Sequence, residues 1–144
     1  MNTGHIGLNV TQLNRSVDFY TDVFDLTLIT KGEQTGKQFA FLAADGKLTL
    51  TLWQQSEDKF DAHRPGLHHL AFVVDSADDV KKVESKLAAM NIDFAYEGIV
   101  PHADGAGSGG IFFMDPDGIR LEIYTERGVL GVAPHGEAPS CGFF

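Results

Sequence analysis

The stretch HIGLNV at residues 5–10 recurs as HLAFVV at residues 69–74, and this repetition decides the fold. Each copy reads as an apolar strand that opens on a histidine and runs directly into an amphipathic helix. Strand side chains alternate between faces, so each histidine shares its face with the small residue two positions on, Gly7 or Ala71. In both copies a histidine lies next to a small residue that leaves room for a ligand. This repeated arrangement indicates a metal site between two related modules.

Both halves of the chain follow the same order of elements. Apolar residues recur every three or four positions in a helix and every second position in a strand, which separates the two states. In the first half we predict a helix over residues 12–24 and strands over residues 4–10, 26–33, 37–44 and 48–53. In the second half we predict a helix over residues 77–90 and strands over residues 67–74, 92–99, 111–114 and 119–124.

This duplicated order predicts an α+β fold of paired βαβββ modules. The modules span residues 1–55 and 66–126 and form one domain over residues 1–126. Residues 127–144 form a C-terminal tail with several glycines and prolines, and it ends in two phenylalanines. Tails of this composition are often disordered, but the two terminal phenylalanines favour docking, either on this subunit or on a partner.

Composition and charge exclude several classes of function. The chain has 144 residues and a net charge of -9 without a basic cluster, so nucleic acid and anionic membranes are not expected partners. A single cysteine, Cys141, excludes an internal disulfide and fits a reducing compartment, and its tail position makes it a poor candidate for a buried nucleophile. Without a signal segment or a long apolar run, we expect a cytoplasmic protein.

Glu122 is the natural partner of the two histidines. It lies between Leu121 and Ile123 in the last predicted strand, where a charge is costly to bury unless it is paired or bound to a metal. Two imidazoles and one carboxylate form a ligand set that leaves coordination positions open for water and substrate. Such a set suits iron, manganese, zinc or nickel, so the identity of the metal stays open.

The two histidine strands and the segment DPDGIRLEIY at residues 115–124 together resemble the vicinal oxygen chelate superfamily. That superfamily includes glyoxalase I, fosfomycin-resistance transferases, extradiol dioxygenases and bleomycin-resistance proteins. The resemblance covers residues 1–126 and implies that the paired sheets curl around one divalent metal ion. It also implies that the metal holds two adjacent substrate oxygens. Carried over residue by residue, the ligands fall on His5, His69 and Glu122.

Departures from individual families bear on the reaction. Thr51 aligns with the position of a fourth carboxylate, the base of glyoxalase I, and Phe112 aligns with a tyrosine of the extradiol dioxygenases. The glycine-rich loop over residues 101–109 lacks the lysine of the fosfomycin transferases. Proton abstraction therefore lacks its usual base, and His102 and Tyr124 are the candidate catalytic proton donors.

The remaining histidines are expected to have other roles. His68 should point to the face opposite His69 and act as a structural residue or as a support for the site. His63 and His135 are interpreted as surface residues.

The leading hypothesis is a metal-dependent enzyme, a lyase, an oxygenase or a resistance transferase, acting on a small substrate that chelates the metal through adjacent oxygens. The alternative is a metal-free binding protein of the bleomycin-resistance kind. In either case we expect a small-molecule partner and a homodimer, because chains of this length in the superfamily that this sequence resembles often pair by exchanging modules. The site could then be assembled from one chain or from two, with His5 supplied by the partner subunit.

Overall fold

A computed structural model describes residues 2–136 and 138–144. The chain divides into two compact units, and each is described by itself. Unit 1 contains the residues up to Asp61 together with the turn Asp115–Gly118. Unit 2 contains Ala62–Met114 and the residues from Ile119 onward.

Unit 1 is a four-stranded mixed sheet with one helix. Its elements are β1 (Ile6–Asn9), α1 (Leu13–Phe24), β2 (Thr27–Gly32), β3 (Phe39–Ala44) and β4 (Lys47–Trp53). The strand order is β1-β4-β3-β2, and β1 runs parallel to β4 while the other pairs are antiparallel.

Unit 2 repeats this arrangement. Its elements are β5 (Leu70–Val73), α2 (Ala77–Ala89), β6 (Val100–Pro101), β7 (Gly109–Met114), β8 (Arg120–Thr125) and a short 3-10 helix, Ser140–Gly142. The strand order is β5-β8-β7-β6, with β5 parallel to β8. The predicted α+β fold with two βαβββ halves is therefore confirmed, and each four-stranded sheet remains open.

Each helix buries an apolar stripe against its own sheet. α1 packs on β2, β3 and β4, and α2 packs on β7 and β8. The stripe of α2 includes Val80 and Leu87, which are fully buried, as are Leu121 and Ile123 on β8. In the described part of the chain, no helix combines the length and apolar character needed to cross a membrane.

The predicted strand over residues 92–99 is wrong. Within this range the structure has a single isolated bridge, between Phe94 and Phe113, and the next strand starts only at Val100. Gly98 adopts a left-handed conformation with a φ of 69°, which interrupts an extended chain. Apolar alternation alone did not reveal this break.

Hydrogen bonds define a helix cap and a tight turn. Ser76 caps α2: its Oγ accepts from the Asp79 N–H at 3.2 Å and donates to the Asp79 carboxylate at 2.6 Å. In the Asp-Pro-Asp-Gly turn, the Gly118 N–H donates to the Asp115 carbonyl at 2.9 Å, and Gly118 has the positive φ of 84° that favours glycine.

The same turn supplies unit 1 with a buried carboxylate. Asp117 accepts hydrogen bonds from the Thr11 N–H at 2.9 Å and the Thr11 hydroxyl at 2.5 Å, and it also accepts from the Arg15 guanidinium. Its side chain is 3% exposed, so these partners replace the water that the charge has lost. Asp117 thereby holds the segment that leads into α1.

We predict that Asp117→Ala lowers the free energy of unfolding by about 2–3 kcal/mol, because charged hydrogen bonds to Thr11 and Arg15 are lost. Urea unfolding measures the change. Asp18→Ala, at an exposed position of α1, is the control and should shift stability by no more than about 0.5 kcal/mol. Equal stability of the two variants would show that the Asp117 network is not structural.

Candidate metal centre

The two repeated histidines occupy matching positions. His5 immediately precedes β1, and His69 immediately precedes β5. His5 is exposed on unit 1, whereas the His69 side chain on unit 2 is 24% exposed. The structure brings His69, but not His5, into a described cluster of metal-ligand donors.

Glu122 lies in the middle of the unit 2 sheet. Its neighbours in register are Ala71 on β5 and Phe112 on β7. The residue is only 2% exposed, and its Oε2 lies 3.3 Å from Nε2 of His69. The structure therefore places His69 and Glu122, two of the three expected metal ligands, next to each other.

His102 holds the other oxygen of the same carboxylate. Its Nε2 lies 2.6 Å from Oε1 of Glu122, and its Nδ1 lies 3.1 Å from the Ser108 hydroxyl. If the hydroxyl donates to Nδ1, the ring carries its proton on Nε2 and donates to the carboxylate. The ring of Tyr124 lies 5.3 Å from that of His102, so the two candidate proton donors lie next to each other.

Cys141 joins this cluster from the C-terminal tail. Donor atoms of His69, Glu122 and Cys141 all lie within 4.8 Å of one another. Sequence reasoning missed this residue, because a lone cysteine in a tail carries no spacing motif. The only signal in the sequence was indirect, namely the terminal phenylalanines that pointed to a docked tail.

His68 does not point away from His69, as its position in the sequence suggested. The two Nδ1 atoms are 2.8 Å apart, so one ring donates a hydrogen bond to the other. Both residues precede the first residue of β5, so the alternation of a strand does not govern their directions. His68 therefore supports the orientation of the His69 ring.

The other two histidines are exposed, as predicted. His135 nevertheless packs against the Phe143 ring at 4.3 Å and lies within hydrogen-bond distance of the Tyr96 hydroxyl. It belongs to the tail contacts rather than to the cluster around Glu122.

Unit 1 has a threonine where unit 2 has its glutamate. Thr51 pairs with Gly7 and Phe41 in the same way that Glu122 pairs with Ala71 and Phe112, so the predicted alignment of Thr51 with Glu122 is confirmed. The Thr51 hydroxyl accepts from the Trp53 indole N–H at 3.0 Å. The repeat has therefore kept its geometry while only one copy carries a carboxylate.

Electrostatics favour a neutral His69 ring. Burial lowers the pKa of His69, and the neighbouring Glu122 opposes this shift without cancelling it. Burial, and then Glu122, raise the pKa of the Cys141 thiol. A neutral imidazole is the form that binds a metal.

The donor set fits a divalent cation. Glu122 is a buried carboxylate whose two oxygens both face histidine nitrogens, and a thiol lies beside it. Nitrogen, oxygen and sulfur donors in one cluster suit zinc, iron and neighbouring transition metals. His102 in turn gives the carboxylate the outer hydrogen bond that typically fixes a metal ligand.

The chain belongs to the Glyoxalase/Bleomycin resistance protein/Dioxygenase superfamily, whose family model matches residues 2–123. This superfamily includes dioxygenases and fosfomycin-resistance transferases. A solved glyoxylase/bleomycin resistance protein/dioxygenase domain from Frankia sp. EAN1pec has the same fold, with a TM-score of 0.74 and 29% identity. The match covers 88% of this chain and 98% of that domain.

Two curated relatives are enzymes. The chain is 29% identical over 125 residues to the metallothiol transferase FosB of Bacillus licheniformis, covering 84% of this chain and 73% of that enzyme. It is 25% identical over 127 residues to a catechol-2,3-dioxygenase of Bacillus subtilis, covering 86% of this chain. The match spans only 41% of the length of the dioxygenase.

We predict that Glu122→Gln lowers the pKa of His69 further in the metal-free protein, because Glu122 stabilises the imidazolium. NMR titration of the histidine rings measures this shift, and His69→Gln identifies the resonance. The folded pKa of His69 lies below that of the unfolded chain, so protonating this residue costs stability as the pH falls through the folded pKa. An unchanged or raised pKa in Glu122→Gln would contradict the assigned contact.

Proposed function

We propose that this protein is a metal-dependent enzyme acting on a small substrate that chelates a divalent metal through adjacent oxygens. The observation that carries the proposal is the buried Glu122 carboxylate, with His69 at 3.3 Å from one oxygen and His102 at 2.6 Å from the other. Burying a carboxylate is costly, and a metal ion is one of the few partners that offsets this cost. The metal ligands are His5, His69 and Glu122.

His5 completes the ligand set either within one chain or across a homodimer. Its position before β1 matches that of His69 before β5, which supports its role as a ligand. Twofold dimers are the commonest symmetric homo-oligomers, and in such a dimer His5 of the partner subunit could reach the site.

The metal would hold and polarise the substrate oxygens and lower the energy of an oxyanion or enolate. Glu122 would bind the metal through one carboxylate oxygen, and His102 would hold the other oxygen in place. His102 Nε2 and the Tyr124 hydroxyl are the groups we assign to proton donation. Thr51 has no acidic group, so the carboxylate base of glyoxalase I has no counterpart on β4.

The reaction class follows from what these side chains lack. Phe112 pairs with Glu122 and has no ionisable proton, which disfavours ring cleavage that depends on a tyrosine there. We therefore expect weak glyoxalase activity and weak or absent catechol cleavage. Group transfer to a small oxygen-rich molecule has support from the likeness to FosB, and lyase or oxygenase chemistry remains the alternative within the same enzyme class.

A metal-free binding protein is the second candidate, because the superfamily name includes bleomycin resistance proteins. A binding cleft needs no nearly inaccessible carboxylate next to two histidines. The contacts of Glu122 with His69 and His102 therefore favour the enzyme.

We predict that the protein purified without a chelator or a polyhistidine tag contains one divalent ion per site. His69→Ala and Glu122→Gln should weaken metal binding at least about tenfold, since even outer-shell partners contribute this much. Elemental analysis and thermal unfolding should change together, because a metal bound only to the native state stabilises it.

His63→Ala is the matched control, because it removes an exposed histidine outside the cluster. It should keep the metal content and the thermal shift of the wild type. Full metal occupancy in His69→Ala, or equal loss in His63→Ala, would refute the assigned ligands. A wild-type protein that contains no metal and binds none when ions are added would favour the metal-free binding protein.

We also predict a homodimer, with a mass by light scattering of about twice the 15.7 kDa of one chain. Mixing His5→Ala with Glu122→Gln subunits distinguishes a metal site built from one chain from a metal site shared between two chains. If each site takes His5 from the partner, the mixed dimer has one intact site and recovers metal binding. If the ligands come from one chain, the mixture binds no better than the two variants alone. A monomer at micromolar concentration would refute the dimer.

A further inference from the structure

The C-terminal tail lies beyond the residues that the family model matches, and it places a sulfur donor next to His69 and Glu122. The family model covers residues 2–123, whereas Cys141 lies beyond it. Its thiol nevertheless lies within 4.8 Å of donor atoms of both His69 and Glu122. Contacts of Ser140 before the cysteine and of Phe144 after it hold the thiol in this position.

Ser140 anchors the tail immediately before the cysteine. Its hydroxyl donates to the Pro101 carbonyl at 2.6 Å, and its backbone N–H donates to the His102 carbonyl at 3.0 Å. Ser140 is fully buried, and the Tyr96 hydroxyl donates to its carbonyl at 3.2 Å. These bonds tie Cys141 to the segment that also carries His102.

Phe144 anchors the tail after the cysteine. Its ring lies 5.4 Å from the Phe112 ring and 5.8 Å from the His69 ring, and the Arg120 guanidinium carbon lies 5.5 Å from its centre. Phe112 is the register neighbour of Glu122, so the terminal aromatic ring covers the sheet next to the carboxylate. Aromatic and cation–π contacts of this kind contribute to docking.

We propose that Cys141 is an additional metal ligand, so that the C-terminal tail closes on the metal centre through a sulfur–metal bond. This inference rests on the metal centre proposed for His69 and Glu122. When the bond forms, the thiol loses its proton to solvent and the resulting thiolate binds the ion. A thiolate ligand favours zinc, cobalt and iron over manganese and magnesium, because it is a soft donor.

Cobalt(II) absorption tests the sulfur–metal bond directly. The chain has one cysteine, so a thiolate-to-cobalt charge-transfer band in the near ultraviolet can come only from Cys141. The wild type should show this band together with the visible ligand-field bands of bound cobalt. Cys141→Ser should keep the ligand-field bands, lose the charge-transfer band and bind cobalt at least about tenfold more weakly. Leu130→Ala, at a tail position that is 92% exposed, should match the wild type.

The outcomes separate this inference from the function on which it rests. Ligand-field bands without a charge-transfer band in the wild type would refute the cysteine ligand and leave the metal centre intact. Absence of both sets of bands would refute the metal centre and the cysteine ligand together.

Thiol reactivity supplies an independent measurement. Zinc should slow modification of the single cysteine by a disulfide reagent at least about tenfold, and Glu122→Gln should abolish this protection. Equal rates with and without zinc in the wild type, at zinc levels that saturate the site, would overturn the proposal.

Discussion

The burial of the Glu122 carboxylate is the constraint on which the site depends. A charge with 2% exposure in the middle of a sheet is stable only with partners that replace water. The fold supplies His69 at one oxygen and His102 at the other, and Ala71 beside it is small. A carboxylate buried this deeply is costly unless a positive charge lies close to it, which is the physical reason for proposing a cation there.

The duplicated fold explains why such a charge can be held at all. Each βαβββ unit buries one face of its sheet under a helix, so β8 is fixed by Leu121 and Ile123 on that face while Glu122 occupies the other. The first unit preserves the same register around Thr51, whose hydroxyl is engaged by Trp53. The two units therefore share this register, and only unit 2 has a carboxylate at the shared position.

The sequence predicted the features that depend on local periodicity. It did not predict side-chain positions that depend on contacts between residues far apart in the chain. Alternation along the last strand was sufficient to predict that Glu122 lies on the face opposite Leu121 and Ile123, because a strand imposes that spacing. The direction of His68 was missed because the residue precedes its strand. Cys141 was missed because its position depends on the bonds of Ser140 and the packing of Phe144, which no short motif encodes.

Anomalous X-ray scattering from crystals of the zinc- or cobalt-loaded protein tests the central claim most directly. We expect one strong peak per site within bonding distance of His69 Nε2 and Glu122 Oε2. Data collected on either side of the absorption edge of the metal would identify the element. A saturated protein whose peak lies away from both side chains, or that shows no ordered peak, would contradict the claim that Glu122 is buried to bind a metal.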